Sequence, residues 1–319
     1  MPSYQFSKCV DDGLKDMIVV TGIFRSGTTI TGKIIGSFKG VEYAYDPPLL
    51  FYANALMRRD SSKKENMMNW IKVYLYYDYY LNYLQGRYNF RSKDEGSCVL
   101  HMKPYSEVME KWFSSGNAFE TINRSSNKDI RFSFKFCNLY DLLESFVDEF
   151  SGIRIIDITR DLNRVLVSVI AKKWFFRERL TDDAAVLWPF RVCENEIRVP
   201  YLVDESDVDF WCNANDITRS VYICCKLAEN KIKFRNSLVM NDKKKEKYLE
   251  IRYEDLVTNP SMVVKKVSRF TNTEWGKLTD SIINDIRPTK VEYSIENAQK
   301  QCNPVIFDRF GELNKKLGY

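Results

Sequence analysis

Histidine is almost missing from the chain: His101 is the only imidazole in 319 residues, which excludes a multi-histidine metal site. None of the eight cysteines (Cys9, Cys98, Cys137, Cys193, Cys212, Cys224, Cys225 and Cys302) forms a CxxC pair, and most sit among apolar neighbours. Residues Met1 to Asp16 are polar and lack the apolar core of a secretory leader, so reduced, buried thiols in a cytoplasmic protein are expected. Long apolar runs are also missing; none approaches the ~18 residues of a membrane span. Neither sign of charge dominates, since 48 Lys and Arg face 43 Asp and Glu for a net +5. That balance names no nucleic-acid partner, although it helps a small anion approach. With 45% apolar, 14% aromatic and 29% charged residues, the disordered and collagen-like classes are excluded. One large domain over residues 1–319 is expected.

What is present alternates in type along the chain. Met17–Gly22 is a short β-branched run ending in glycine, as in a buried parallel strand, and Ile30–Phe38 reads as a helix. Further strands are expected at Cys98–Met102, Arg131–Phe136, Ile153–Thr159 and Tyr248–Tyr253. Helices are expected at Leu139–Phe150, Val165–Phe176, Phe210–Phe234 and Met262–Phe270. Leu56–Leu84 carries Trp70, Tyr74, Tyr76, Tyr77, Tyr79, Tyr80 and Tyr83 without interleaved basic residues. Two packed helices fit it better than a nucleic-acid stacking surface. Alternating strands and helices predict a three-layer α/β/α fold with a central, mainly parallel sheet.

Gly22-Ile-Phe-Arg-Ser-Gly-Thr-Thr29 has the spacing of a phosphate-binding turn between strand and helix. Such a turn aims backbone N–H groups inward and adds the positive end of the following helix. The lysine that reaches the outer phosphates of a nucleoside triphosphate is replaced by Thr28, so the loop suits one terminal phosphate better than a triphosphate with its metal. A second register, Gly27 to Lys33, ends in Ile34 and offers no hydroxyl for magnesium.

Phe24-Arg-Ser-Gly-Thr-Thr29 resembles the 5′-phosphosulfate loop of sulfotransferases, which use 3′-phosphoadenosine-5′-phosphosulfate (PAPS) as donor and release PAP. Two further landmarks extend the resemblance. The strand at Ile153–Thr159 runs into Arg160, with Ser168 eight residues on, the spacing of the family's 3′-phosphate motif; Leu162 stands where proline is frequent. Tyr253-Glu-Asp-Leu256 with Asn259-Pro260, and Leu317-Gly-Tyr319, are similar to scaffold segments of bacterial members. The resemblance implies donor binding by Arg25, Ser26, Gly27, Thr28, Thr29, Arg160 and Ser168, with no metal. Arg287 and Lys290 are candidates for a further 3′-phosphate contact.

By the same resemblance Lys135 meets charge on the leaving phosphate together with Arg25. The family's usual bases are missing, because Phe134 and Cys137 occupy their positions. Asp46 lies 21 residues after Arg25, where the tyrosylprotein branch carries a catalytic glutamate, and is the first candidate base. His101, whose imidazole suits proton removal near neutrality, is the alternative.

Residues 51–130 and 177–209 match no motif and are expected to supply acceptor-pocket helices or a lid. Asp204, Glu205, Asp207 and Asp209, with Glu107, suggest a cationic natural-product acceptor, while the tyrosines at 74–83 suit an aromatic or sugar acceptor. Sulfuryl transfer to a hydroxyl or amine of a small molecule is the leading expectation. A nucleotide kinase using Lys33, or a nucleotide-binding protein without catalysis, are the alternatives.

Overall fold

A computed structural model describes residues 8–60, 64–114, 116–117, 120–121, 130–182, 190–192, 196–287 and 293–319. Its centre is a five-stranded, all-parallel sheet built from β1 (Ile18–Gly22), β2 (Val41–Tyr45), β3 (Arg131–Lys135), β4 (Arg154–Thr159) and β7 (Tyr248–Arg252), in the order β2-β3-β1-β4-β7. β5 (Phe190–Val192) and β6 (Arg198–Pro200) form a separate antiparallel pair. The principal helices are α1 (Thr28–Gly36), α2 (Leu49–Arg59), α3 (Tyr140–Glu149), α4 (Leu162–Ala171), α5 (Asp216–Val239), α6 (Pro260–Thr271) and α7 (Pro304–Lys316).

The strands are apolar on both sides because helices cover both faces. Val19, Ala44, Phe134 and Ile155 pack with residues of α2 and α3. The alternate residues Ile18, Val20, Val41, Ile156, Ile158 and Ile251 pack with α1 and α6. A third cluster joins α4, α5 and α7 around Trp211. The expected α/β layering with a parallel sheet is therefore observed. Among the described residues no helix is long and apolar enough to cross a membrane.

Three elements differ from expectation. Cys98–Met102 is a 3₁₀ turn over Val99–His101 and not a strand. Val99 and Met102 are both buried, a spacing of three that a strand would send to opposite faces. Phe210–Phe234 is interrupted: a short helix, Val208–Asn213, ends before Asn215, whose side chain caps α5 by accepting from the Thr218 N–H at 2.8 Å. The strand β2 was hidden in Val41-Glu-Tyr-Ala-Tyr45, where burial on both faces overrides the polar Glu42. Of the charged stretch 177–209, Pro189 and Cys193 lie outside the described residues.

Candidate active site

Parallel strands present all their carboxyl ends on one side of a sheet, and ligands of open α/β sheets bind there. Gly22, Asp46, Lys135 and Arg160 all stand at those ends, on or directly after β1, β2, β3 and β4.

The loop after β1 is held by its neighbours. The Phe24 N–H donates to Asn138 Oδ1 at 3.1 Å, and the Asn138 N–H to the Gly22 carbonyl at 3.2 Å. Arg25 adopts a left-handed backbone, φ 63°, which turns the chain sharply before the helix. Gly27, φ 96°, could not be replaced freely: a Cβ there would lie 2.5 Å from Cδ2 of Tyr253. α1 begins at Thr28, so its first N–H groups face the loop, and Thr28 Oγ1 is 3.1 Å from Cys137 Sγ. Ser26 is buried with its hydroxyl unpartnered.

The second cluster is interlocked with the first. Arg160 donates through Nη1 to the Arg25 carbonyl at 2.8 Å, and its guanidinium lies 4.3 Å from the centroid of the Tyr253 ring. Arg160 is buried, yet its Nε has no partner. Arg25 Nε donates to Ser168 Oγ at 2.8 Å, so the loop cation already touches the serine of α4. Arg25, Thr28, Thr29, Arg160 and Tyr253 line one cleft of about 950 Å³. Two guanidiniums, helix N–H groups and unpartnered buried donors give this cleft the chemistry that an anion would need.

Beside it stands an ion pair. Lys135 Nζ lies 2.5 Å from Asp46 Oδ2, and the Asp46 N–H donates to the Lys135 carbonyl at 3.0 Å. The ammonium also sits 4.1 Å from the centroid of the Tyr45 ring. Burial pushes the Asp46 carboxyl above its ordinary value, only partly offset by Lys135. For Lys135, burial opposes the charge but the neighbouring Cys137 and Asp46 outweigh it and raise its pKa. Asp46 has φ 40°, and its Oδ1 is buried without a partner. A left-handed aspartate is strained and persists where its surroundings hold it.

His101 also lines the cleft, together with Lys33, Leu100 and Arg287. Its neighbours fix it toward the far end of α1: Lys103 Nζ donates to the Phe38 carbonyl at 2.6 Å, and a Cβ on Gly36 would meet Met102 Sδ. Asp46 and Lys135 are not part of that wall. Lys33 lies inside α1, where backbone N–H groups are committed to helical bonding, so a phosphate loop in the Gly27–Lys33 register does not form. Lys290 lies outside the described residues.

Two carboxylates of the charged stretch, Asp204 and Asp207, are engaged. Asp204 pairs with Arg58 at 3.0 Å and Lys226 at 2.7 Å; Asp207 accepts from Tyr222 at 2.5 Å and lies 3.3 Å from Lys226. Glu107 lies 3.8 Å from Lys103. Sequence reasoning passed over Asn138 and Tyr253. An asparagine shortly after a strand, three residues past Lys135, was the available signal for the first; nothing local marked the second as a platform for Arg160.

Solved structures similar to this chain are sulfotransferases. They include the sulfotransferase domain of the curacin biosynthetic pathway (11% identity, 96% of this chain and 98% of that one, TM-score 0.46). They also include sulfotransferase STF1 of Mycobacterium tuberculosis H37Rv (13%, 96% and 79%, TM-score 0.45). A mouse sulfotransferase, SULT7A1, complexed with PAP, is similar at 10% identity over 97% of this chain and 86% of that one, with TM-score 0.43. No curated protein sequence matches the chain. A family model described as the sulfotransferase domain matches residues 15–290, a span that holds the Gly22–Thr29 loop, the Asp46–Lys135 pair and Arg160 alike, and by that match the chain belongs to the sulfotransferase family.

Proposed function

We propose that this sulfotransferase moves a sulfuryl group from PAPS to a hydroxyl or amine of a small-molecule acceptor by in-line displacement. The loop amides of residues 25–29, Arg25 and the hydroxyls of Ser26, Thr28 and Thr29 hold the 5′-phosphosulfate. Arg160, with Ser168, holds the 3′-phosphate. The observation that carries this reading is the buried Arg160 whose Nε is unpartnered, fixed beside a glycine turn that itself has an unpartnered buried hydroxyl. Such donors favour an anion strongly because leaving them unpaired costs roughly 1–3 kcal/mol each.

In the reaction the acceptor oxygen or nitrogen bonds to sulfur while the bond from sulfur to the bridging phosphate oxygen breaks. Lys135 and Arg25 meet the charge that grows on that oxygen. Asp46 takes the acceptor's proton, and its link to Lys135 keeps acid–base and charge-stabilising groups in one unit. His101, on the wall with Lys33, is the less favoured base. Asp204 and Asp207 are already paired with cations, so of the carboxylates that suggested a cationic acceptor these two are taken up within the protein. The acceptor is approached over the ends of β2 and β3. Thiols at Cys98, Cys137, Cys224, Cys225 and Cys302 fit a reducing compartment such as the cytoplasm.

Thermal unfolding with added nucleotide tests the reading. PAP should raise Tm strongly, and ATP with magnesium should do so far less. Equal or reversed effects would discard the donor assignment. Sulfation across a panel of hydroxyl and amine acceptors then separates the enzyme from a nucleotide-binding protein without catalysis.

A further inference from the structure

The segment Leu317–Tyr319 follows α7 and folds back under the turn that carries Arg160. Gly318 takes φ 91°, and its carbonyl accepts from Arg252 Nη2 at 3.0 Å, while the Arg252 guanidinium lies 4.8 Å from the centroid of the Tyr319 ring. Those two contacts place the phenol under the β4 end. Tyr319 Oη donates to Glu254 Oε2 at 2.5 Å and lies 3.4 Å from the Thr159 carbonyl oxygen. The other carboxylate oxygen, Glu254 Oε1, accepts from the Asp161 N–H at 3.3 Å. Asp161 in turn caps α4 by accepting from the Asn163 N–H at 2.9 Å, and takes a second bond from Asn314 Nδ2 at 3.0 Å.

Burial lowers the pKa of the Arg160 guanidinium, and Tyr253 and then the Glu254 carboxylate partly offset it. A buried arginine next to a carboxylate would ordinarily form a bidentate pair and so neutralise itself. Among the described residues Arg160 makes no such ion pair: its nearest partners are the Arg25 carbonyl and the Tyr253 ring, and Nε is left over. Both Glu254 oxygens are held instead, one by a phenol and one by a backbone amide.

From this arrangement we infer that Tyr319 is a positioning residue that restrains the Glu254 carboxylate and thereby keeps Arg160 available to an external phosphate. The inference rests on the reading of Arg160 as the 3′-phosphate ligand. Without the phenol hydroxyl, Glu254 is free to turn onto Arg160 and compete with the phosphate. Removing the charge at residue 254 removes that competition, whatever the state of Tyr319.

Calorimetric titration of the full chain with PAP and with adenosine 5′-monophosphate, which lacks the 3′-phosphate, tests this. Y319F should weaken PAP by roughly tenfold, the scale of one charge-assisted contact, with the monophosphate unchanged. E254Q alone should bind PAP at least as well as the parent, and Y319F/E254Q should regain the parent affinity. A merely structural tyrosine would lower both ligands together and would not be rescued by removing a neighbouring charge; that result, or unchanged PAP binding in Y319F, overturns the inference. Arg160→Ala keeps the two claims apart. If the parent prefers PAP and Arg160→Ala abolishes the preference while Y319F does nothing, only the role of Tyr319 falls. If the parent binds both nucleotides equally, the functional reading falls first and takes the inference with it.

Discussion

Asp46 carries two unusual properties in one side chain, a left-handed backbone and a carboxyl raised by burial against a lysine. As the base it must be ionised to accept a proton. A raised value therefore sets the acid limb of the pH–rate profile above the ordinary carboxylate range, with activity rising as pH rises through it. Asp46→Asn should flatten that limb and lower kcat by about 10²–10⁴-fold, while PAP affinity stays near that of the parent. Rapid-quench assays at several pH values would show it, and an Asp46→Asn enzyme turning over at the parental rate would move the base elsewhere. At this scale much of the site was legible. That Arg25, Thr28, Arg160 and Ser168 belong together was readable because phosphate recognition would need cations and hydroxyls at fixed spacing after strands, and the structure brings them into one place. Asp46 was legible by its distance from Arg25, whereas its partner in the pair, Lys135, could be tied to it only once β2 and β3 were seen side by side. Tyr253 and Tyr319 were not legible as supports, since each acts through a charged neighbour far away in sequence.

At the level of elements, α5 is pinned to the sheet by charge. Lys231, fully buried on α5, lies 2.5 Å from Asp157 Oδ1 of β4, and neither side chain is exposed. Tyr140 of α3 and Tyr248 of β7 donate to the same carboxylate at 3.2 and 2.8 Å. Burial pushes the Asp157 carboxyl upward, with Lys231 opposing it. Removing one member of a buried pair strands the other, so Lys231→Met should lower unfolding free energy by ~3–5 kcal/mol in urea titration. Lys231→Met combined with Asp157→Asn should regain part of the loss, because no lone charge is then buried. A Lys231→Met protein as stable as the parent would mean the pair is not needed for docking α5. Neither partner was visible beforehand. Asp157 is one polar residue in an apolar strand and Lys231 one lysine in a long helix, and nothing local ties the two together. Periodicity likewise located the long helices well. It failed at Cys98–Met102, where a short apolar run cannot distinguish a strand from a tight turn, and at β2, where a glutamate masks a buried strand.

For the whole molecule, the sheet order β2-β3-β1-β4-β7 brings chain ends separated by more than a hundred residues to one rim. A donor bound there touches the ends of several strands at once and should stabilise the fold globally. With ligand at a hundred times its Kd, the gain is about 2.7 kcal/mol. Unfolding free energies from urea titration with and without PAP should differ by that amount in the parent and much less in Arg160→Ala. An undiminished gain in Arg160→Ala would show that the guanidinium does not hold the ligand. The layered class was legible from alternation alone, because buried parallel strands must be apolar on both sides. Which strands neighbour each other was not, since register and order depend on long-range packing that no local pattern records.

One aromatic ring also sets a dimension of the cleft. Tyr253 is pressed between the Gly27 backbone and the Arg160 guanidinium. The thickness of a phenol ring thus sets the separation between the Gly27 turn and the Arg160 guanidinium, the two places proposed to hold a ligand's anionic groups. In that proposal the protein would measure length: a molecule whose charged ends are too close or too far apart would satisfy one place but not both. Shrinking or enlarging that ring would change which ligands fit while leaving every charged group intact.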